Sequence, residues 1–410
     1  MAPQSNHPIN KITTEEIKDS RGNPTIKVTV FADGKSDSFS VPSGASTGAR
    51  EAHELRDADG RGVRNAIEKL DKIISPALLG QNVLDQKEID RLLIQLDGTL
   101  NKDNLGGNSM IGVSIACAKT AAKISGQKTF EYLRTLAKIK PSRETPYLFM
   151  NLINGGKHAQ NGLAFQEYLI VPDTQNVSQA VDTGIRVQNT LKEIIKKELG
   201  EESTVLGDEG GFAPEIDDIR KPLFYFSQAI EQNNLQDKVR LALDVAASSF
   251  FENGIYKVGG EYTSKEELIN IYNSLIKEFN LFSIEDPFEQ KDFESFARLK
   301  EKNENLLTMG DDLTVSNKIL LEKAIKNGSI NAIIIKPNQI GTLTETLETM
   351  RLAGENDIKI IISHRSGETS DDFIADLAYA FGCFGLKAGA PVKPERMLKY
   401  ERLIKITGDF

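Results

Sequence analysis

Two rhythms of apolar and polar positions divide the chain. Across Thr25–Phe31, Ile26, Val28 and Val30 alternate with polar or exposed-type neighbours, a period of two that predicts a half-buried strand. The pair Asp33-Gly34 then favours a tight hairpin leading to a second strand around Phe39–Val41. Helical spacing follows in Val63–Ile74 and Lys87–Leu96. An alanine-rich stretch from Asn108 to Ser125 closes on Gly126, which reads as a helix C-cap. The segment KIKPSRETP, Lys138 to Pro146, is charged and twice broken by proline. A domain boundary is expected there, with a smaller N-terminal α+β domain over residues 1–138 and a larger domain over 139–410.

Past that boundary the rhythm changes. Short apolar runs recur, each ending in polar or charged residues: VRLALDV, LFSIED, LLTMGDD, NAIIIKPN and IKIIISHR. Between them, Leu268, Ile271, Tyr272, Leu275, Ile276 and Phe279 hold the i, i+3, i+4, i+7 spacing of an amphipathic helix. Phe293, Phe296 and Leu299 do the same, as do Phe373, Ile374 and Leu377. Fully buried strands alternating with amphipathic helices make βα units around a parallel sheet, and enough units occur to close an α/β barrel. Active sites of such barrels are built where the strands end. Asp244, Glu285, Asp311, Lys336 and His364 all stand at those ends.

Composition narrows the class. With 39% apolar and 27% charged residues, the 410-residue chain has the make-up of an ordinary soluble protein with room for large cores. Cys117 and Cys383 lie far apart in apolar stretches and read as buried thiols in a reducing compartment. The opening MAPQSNHPIN has no basic stretch leading into an apolar one, and no apolar run nears the ~18–20 residues of a membrane span. A cytoplasmic protein is expected. A net charge of −9 without blocks of like charge argues against nucleic acid as the main partner. It leaves room for an anionic small molecule, because local cations or bound metals can reverse the field at a site.

The candidate chemistry sits on the strand ends and on glycine-bearing loops. Asp244, Glu285 and Asp311 emerge from successive apolar strands, and a hard cation such as Mg²⁺ takes oxygen ligands of this kind. Taken singly, each is also an ordinary helix cap or loop charge. Lys336 follows four apolar residues. It either snorkels to water or has its pKa lowered to act as a base, helped by a second cation such as Lys387. In His364-Arg365-Ser366-Gly367 a guanidinium, a hydroxyl and backbone N–H groups suit a phosphate, while the bland alternative is a capped turn. The loops SGASTG (Ser43–Gly48), NGGKHAQNG (Asn154–Gly162) and GDEGG (Gly207–Gly211) fit neither a Rossmann nor a P-loop fingerprint; each alone reads as a flexible turn, and as mobile lids they could exclude water from a bound substrate. Glu167 and Glu209 are candidate acid–base carboxylates, of which one can stay protonated in a crowded site.

These motifs together resemble the enolase family. KDSRGNPT, VPSGASTGAREAHELRD, INGGKHA, GDEGGFAP, SIEDP, GDDLTV, KPNQIGTLTET and SHRSGET occur in the family's order and span almost the whole chain. The resemblance implies a barrel of atypical β/α order under a small N-terminal domain, and a hydro-lyase interconverting 2-phosphoglycerate and phosphoenolpyruvate in glycolysis and gluconeogenesis. It implies Lys336 as the base and Glu209 as the acid, with Glu167 beside it and His158 and His364 lining the site. Asp244, Glu285 and Asp311 would hold one Mg²⁺, and Ser46 would help hold a second with the substrate phosphate. Arg365 and Ser366 would grip that phosphate, while Gln166 and Lys387 would meet the substrate carboxylate. The family's usual assembly is a homodimer, sometimes an octamer of dimers.

Departures from the family's pattern fall at ADGRGV after Asp57, at Ser249 where glutamate is common, in LKAGAP, and in VKPER where an arginine–serine pair is common. None removes a proposed acid, base or ligand. A sister enzyme acting on another carboxylate would typically lack SGAST, GDEGG and SHRSGET. An idle scaffold binding protein or RNA would be expected to have lost at least one of the filled positions.

Overall fold

The computed structural model describes residues 6–44, 50–159 and 161–409. Its first unit opens with an antiparallel sheet of β1 (Ile9–Lys18), β2 (Pro24–Ala32) and β3 (Lys35–Ser40). The hairpin between β2 and β3 turns at Asp33 (φ 48°) and Gly34 (φ 69°), the two left-handed residues that Asp-Gly favours. Strand β1 escapes the sequence pattern because it lies at the sheet edge and exposes most of its polar residues. Helix α1 (Arg64–Lys69) passes through a wide turn at Leu70–Ile74 into α2 (Ser75–Leu78). Then come α3 (Gln86–Asp97), α4 (Gly107–Ile124) and α5 (Thr129–Leu136). Helix α4 is buried on nearly every side, which explains its alanine-rich, weakly amphipathic sequence.

The second unit is a closed eight-stranded barrel. It starts with β4 (Tyr147–Asn154), β5 (Glu167–Pro172), α6 (Val177–Leu199), α7 (Lys221–Gln232) and β6 (Val239–Asp244). A small excursion, β7 (Phe251–Glu252), β8 (Ile255–Val258) and β9 (Glu261–Thr263), precedes α8 (Lys265–Phe279). Regular alternation follows: β10 (Ser283–Glu285), α9 (Phe293–Lys302), β11 (Leu307–Gly310), α10 (Lys318–Lys326), β12 (Ala332–Ile335) and α11 (Leu343–Glu355). The chain ends with β13 (Lys359–Ser363), α12 (Phe373–Ala380), β14 (Gly385–Lys387) and α13 (Pro394–Thr407).

Strand order around the barrel is β10-β11-β12-β13-β14-β4-β5-β6. Only β5 runs antiparallel to its neighbours; the other strand pairs are parallel. The expected barrel with broken early alternation is therefore present. Reversal of β5 has one consequence for chemistry: its first residue, Glu167, lies level with the last residue of β6, Asp244. A rule that looks only past the C-terminal ends of strands passes over it.

The N-terminal unit is tied to the barrel's mouth by backbone and by side chains. Ser43 and Gly367 exchange N–H···O bonds of 2.8 and 2.9 Å, so the segment before SGASTG is stitched to SHRSGET. Asp90 of α3 is fully buried and accepts from the Thr344 N–H at 2.8 Å, while Ser114 Oγ of α4 accepts from the Leu343 N–H at 2.9 Å. The first turn of α11 is thus capped from the other domain, which satisfies two of its orphan N–H groups.

Candidate active site

Alternation along the strands builds the site. Side chains of successive strand residues point to opposite faces, so every second residue lines the barrel interior. Tyr147, Phe149, Leu169, Val171, Ala242, Met309, Ala332, Ile334 and Ile361 form one inner apolar cluster. Continuing each strand by two residues brings in Asn151, Glu167, Asp244, Glu285, Asp311, Lys336, Ser363 and Lys387 as the next layer. Glu167 pairs in register with Asp244, and Asp244 with Glu285, giving three buried carboxylates across three adjacent strands.

Lys387 answers that row from the far side of the barrel. Its Nζ lies 3.0 Å from Glu167, 3.0 Å from Asp244 and 2.8 Å from Glu285. Burial alone would strip its proton, but the three carboxylates outweigh burial and hold its pKa well above the lysine range. Gln166 Nε2 donates to Asp244 at 3.3 Å. Burial and the neighbouring Asp244 push the Glu285 carboxyl well up, and its Oε1 is buried without a hydrogen-bond partner.

Lys336 pairs with Asp311 Oδ2. Burial would lower the Lys336 pKa, but Asp311 overrides it and raises the pKa above the lysine range, although Arg365 and Lys387 oppose the rise. The expected lowering by a second cation is present as a field and is outvoted by one adjacent carboxylate. Asp311 has further acidic company: ligand oxygens of Asp286, Asp311 and Asp312 all lie within 4.8 Å of one another. Asp286 accepts from the backbone N–H groups of Asp311 at 3.0 Å and Asp312 at 2.6 Å. Burial first, then the two aspartates, push its carboxyl well up, and Asp312 is raised to about 7 by burial and Asp311.

The opposite wall carries the acid–base candidates. Glu209 reaches the site on the GDEGG loop. There Gly211 packs so closely on β4 that a Cβ would stand 2.3 Å from Asn154 Oδ1 and 2.9 Å from the Leu152 carbonyl carbon. Glu209 Oε2 accepts from Asn151 at 2.9 Å and lies 3.6 Å from His364 Nε2. His158 Nδ1 lies 3.4 Å from Glu167 and 3.6 Å from Glu209. Burial would raise both carboxyls. For Glu167 burial prevails and Glu209 adds to the rise, whereas His158, with Arg396 and Lys387, pulls Glu209 well below the usual range.

Arg365 is buried, and its Nη2 donates to Glu51 at 2.9 Å. Ser366 is also buried at the rim of the same cavity. The cavity has a volume of about 260 Å³ and is lined by Gln166, Glu167, Glu209, Asp244, Asp311, Lys336, His364, Arg365, Ser366 and Lys387 among others. Ser46 lies outside the described residues.

Sequence reasoning missed several participants. Arg396, fully buried at the start of α13, donates to His364 Nδ1 at 2.6 Å, to the Arg365 carbonyl at 2.7 Å and to the Ser366 carbonyl at 2.7 Å. Because a guanidinium only donates, His364 Nδ1 must accept, which puts the imidazole proton on Nε2 facing Glu209. Burial, with Arg396 adding to it, keeps that imidazole neutral. Glu51, Asn151, Asp286 and Gln339 were also overlooked. For Asn151 the period-two ladder from Tyr147 and Phe149 was a readable signal.

Two family models match the chain: "Enolase, N-terminal domain" over residues 9–133 and "Enolase, C-terminal TIM barrel domain" over residues 143–410. The chain is 43% identical to the enolase of Methanopyrus kandleri over 409 residues, covering 97% of this chain and 95% of that one. It is likewise 43% identical to the enolase of Methanocaldococcus jannaschii over 404 residues, covering 97% and 94%. The chain belongs to the enolase family. Similarity to the enolase of Methanothrix thermoacetophila, 41% over 403 residues, extends over the same span. Membership makes the chain a hydro-lyase by class and accounts for a site rich in paired acids and lysines.

The donor set also fits a divalent cation. Asp244, Asp286, Asp311 and Asp312 line the cavity, with Glu285 buried in register beside Asp244; Glu285 carries an orphan oxygen, and three of the five carboxyls are pushed up by burial and by neighbouring carboxylates. A hard cation relieves that repulsion with the oxygen ligands it prefers.

Proposed function

We propose that the chain carries out the reversible dehydration of 2-phosphoglycerate to phosphoenolpyruvate, with two Mg²⁺ ions per site. The observation that carries the reading is the geometry of Lys336. Paired with Asp311, it lines one cavity with Glu209, Glu167, Arg365, Ser366 and Lys387. Arg365 and Ser366 take the phosphate, and Lys387 and Gln166 orient the carboxylate. Asp244, Glu285 and Asp311, and in part Ser46, would hold the metal ions, which would supply positive charge beside a substrate carboxylate whose C2 proton is removed.

Lys336 as the free amine accepts that C2 proton. Asp311 is what holds the ammonium protonated in the ligand-free site. Were that carboxylate engaged as a metal ligand, Arg365 and Lys387 would press Lys336 toward the neutral form. The C3 hydroxyl then departs as water with a proton delivered by Glu209. His158 stands 3.4 Å from Glu167 and 3.6 Å from Glu209, so the three groups are close enough to pass such a proton among them.

The same reading gives an assembly as a homodimer or an octamer of dimers, a cytoplasmic location, and a role in glycolysis and gluconeogenesis. It keeps the domain division at 138/139. Among the described residues no helix is long and apolar enough to cross a membrane.

The test follows the ultraviolet absorbance of phosphoenolpyruvate formed from 2-phosphoglycerate, with Mg²⁺ and then with EDTA. Rapid, EDTA-sensitive product is expected. Folded, Mg²⁺-loaded protein that forms none would sink the reading. Glu209→Gln is expected to keep C2 proton exchange while blocking dehydration, and loss of both would remove its separate acid role.

A further inference from the structure

One buried segment near the site is bent against its own preference. Val315 (φ 39°) and Ser316 (φ 54°) adopt consecutive left-handed conformations, and both are fully buried. A β-branched residue avoids that region, and such strain persists where the surroundings over-determine it, most often at functional sites. Here the bend aims Ser316 Oγ inward. It accepts from the Lys336 backbone N–H at 2.8 Å and donates to Gln339 Oε1 at 2.7 Å.

Gln339 is itself buried, and its Nε2 donates to Asp311 Oδ1 at 2.9 Å and to Glu51 Oε1 at 3.4 Å. Both receivers are carboxylates, so the amide has one satisfying orientation; reversed, its carbonyl would face two anions. Glu51 in turn holds Arg365. Asp311 is thereby gripped at both oxygens, Oδ1 by Gln339 and Oδ2 by Lys336. Contacts run unbroken from Arg365 through Glu51, Gln339 and Asp311 to Lys336, and Gln339 is the neutral link.

We propose that Gln339, oriented by Ser316, is a positioning residue that fixes the rotation of Asp311 and, through it, the placement of Lys336. The proposal rests on the reading of Lys336 as base and Asp311 as metal ligand. Without the amide, the Asp311 carboxylate is free to turn and takes the Lys336 ammonium with it. Partners that orient a ligand carboxylate affect metal affinity and turnover although they touch neither metal nor substrate.

The test uses the full-length protein and Gln339→Met, which keeps length and volume but cannot hydrogen-bond. Mg²⁺ affinity by calorimetry is expected to weaken about tenfold or more. C2 proton exchange and kcat are expected to fall about 10–100-fold. KM and the affinity for inorganic phosphate should stay near the wild-type values, while the thermal midpoint should fall only by the amount that losing one buried amide's hydrogen bonds brings. Wild-type Mg²⁺ affinity and exchange in the variant would overturn the proposal. So would a uniform loss of phosphate affinity, Mg²⁺ affinity and thermal stability, which marks a general structural role. Should Gln339→Met fail to fold, Ser316→Ala removes the hydroxyl that orients Gln339 together with the acceptor of the Lys336 N–H, so Mg²⁺ affinity rather than kcat is the deciding readout; it is expected to weaken by a smaller factor, and no shift would overturn the proposal. Wild-type protein without turnover would fell the functional reading, while the calorimetric comparison would still decide the role of Gln339.

Discussion

At the floor of the barrel, Tyr147, Phe149 and Phe282 pack ring on ring, with Phe149 and Phe282 stacked at 6.2 Å and Arg143 laid over Tyr147 at 3.4 Å. A few residues further along the same strands, the mouth carries Glu167, Asp244, Glu285 and Asp311 against Lys336 and Lys387. Both layers are buried, and both are reached by the same alternation of side chains. The floor lowers the free energy of the folded chain by removing apolar area from water. The mouth does the reverse, since carboxyls pushed well above their ordinary range are charges that the fold tolerates for chemistry. Stability and activity are therefore expected to separate by layer.

The largest effect expected is at the mouth. Lys336→Ala should slow C2 proton exchange of 2-phosphoglycerate by about 10²–10⁴-fold, the size of a lost general base. Exchange is read by NMR in deuterated water, and equal rates in variant and wild type would remove the assigned base. Metal binding should remain nearly intact.

At the floor, Phe149→Ala should cost about 3–5 kcal/mol of unfolding free energy, measured by denaturant titration, while kcat/KM per folded molecule stays close to wild type. A loss of activity outrunning the loss of stability would show that the layers are not separable.

Glu285→Gln tests the mouth's cost directly. Its raised carboxyl binds a proton more tightly in the folded chain than in the unfolded one. Ligand-free stability should therefore fall as pH rises above the ordinary value of 4.5, and the glutamine variant should lack that fall. At neutral pH the variant should gain about 1–2 kcal/mol without metal and lose the stabilisation that Mg²⁺ gives the wild type. A variant no more stable than wild type in EDTA would mean that Lys387 already offsets the carboxylates in full.

The smallest effect belongs to the floor's rim. Burial would raise the Asp173 carboxyl, but hydrogen bonds from Arg240 and Tyr147 hold it below its ordinary value of 3.8. Its stabilisation is present above that value and lost as pH falls through the depressed folded one. Because Asp173 and Arg240 are each about a third exposed, Asp173→Asn should cost only about 0.2–1 kcal/mol at neutral pH. The two stability curves should converge in acid.

Much of this was legible in the residues. The five apolar runs that end in charge became β6, β10, β11, β12 and β13, and the charged residues landed at or just past their ends. Such strands are buried on both faces, so they read as continuous apolar runs whatever lies around them. β4 and β5 were not read as strands although both are buried throughout, because their chemistry-bearing residues sit inside the apolar run or at its beginning. The excursion β7–β9 left no clear signal, its strands being only two to four residues long.

By itself the sequence determined the βα rhythm, the family, and which residue types stand where strands meet loops, because burial and local spacing are written in neighbouring positions. Tertiary structure decided which of those residues meet. It turned β5 around and set Glu167 level with Asp244. It brought Lys387 across the barrel onto three carboxylates and placed Asp311, rather than a second cation, against Lys336. It also delivered Arg396 from the last helix to fix the tautomer of His364. Each outcome depends on distances between residues far apart in the chain. Charge interactions fall steeply with distance and rise with burial, so the protonation states that matter to chemistry are set only once the barrel has closed.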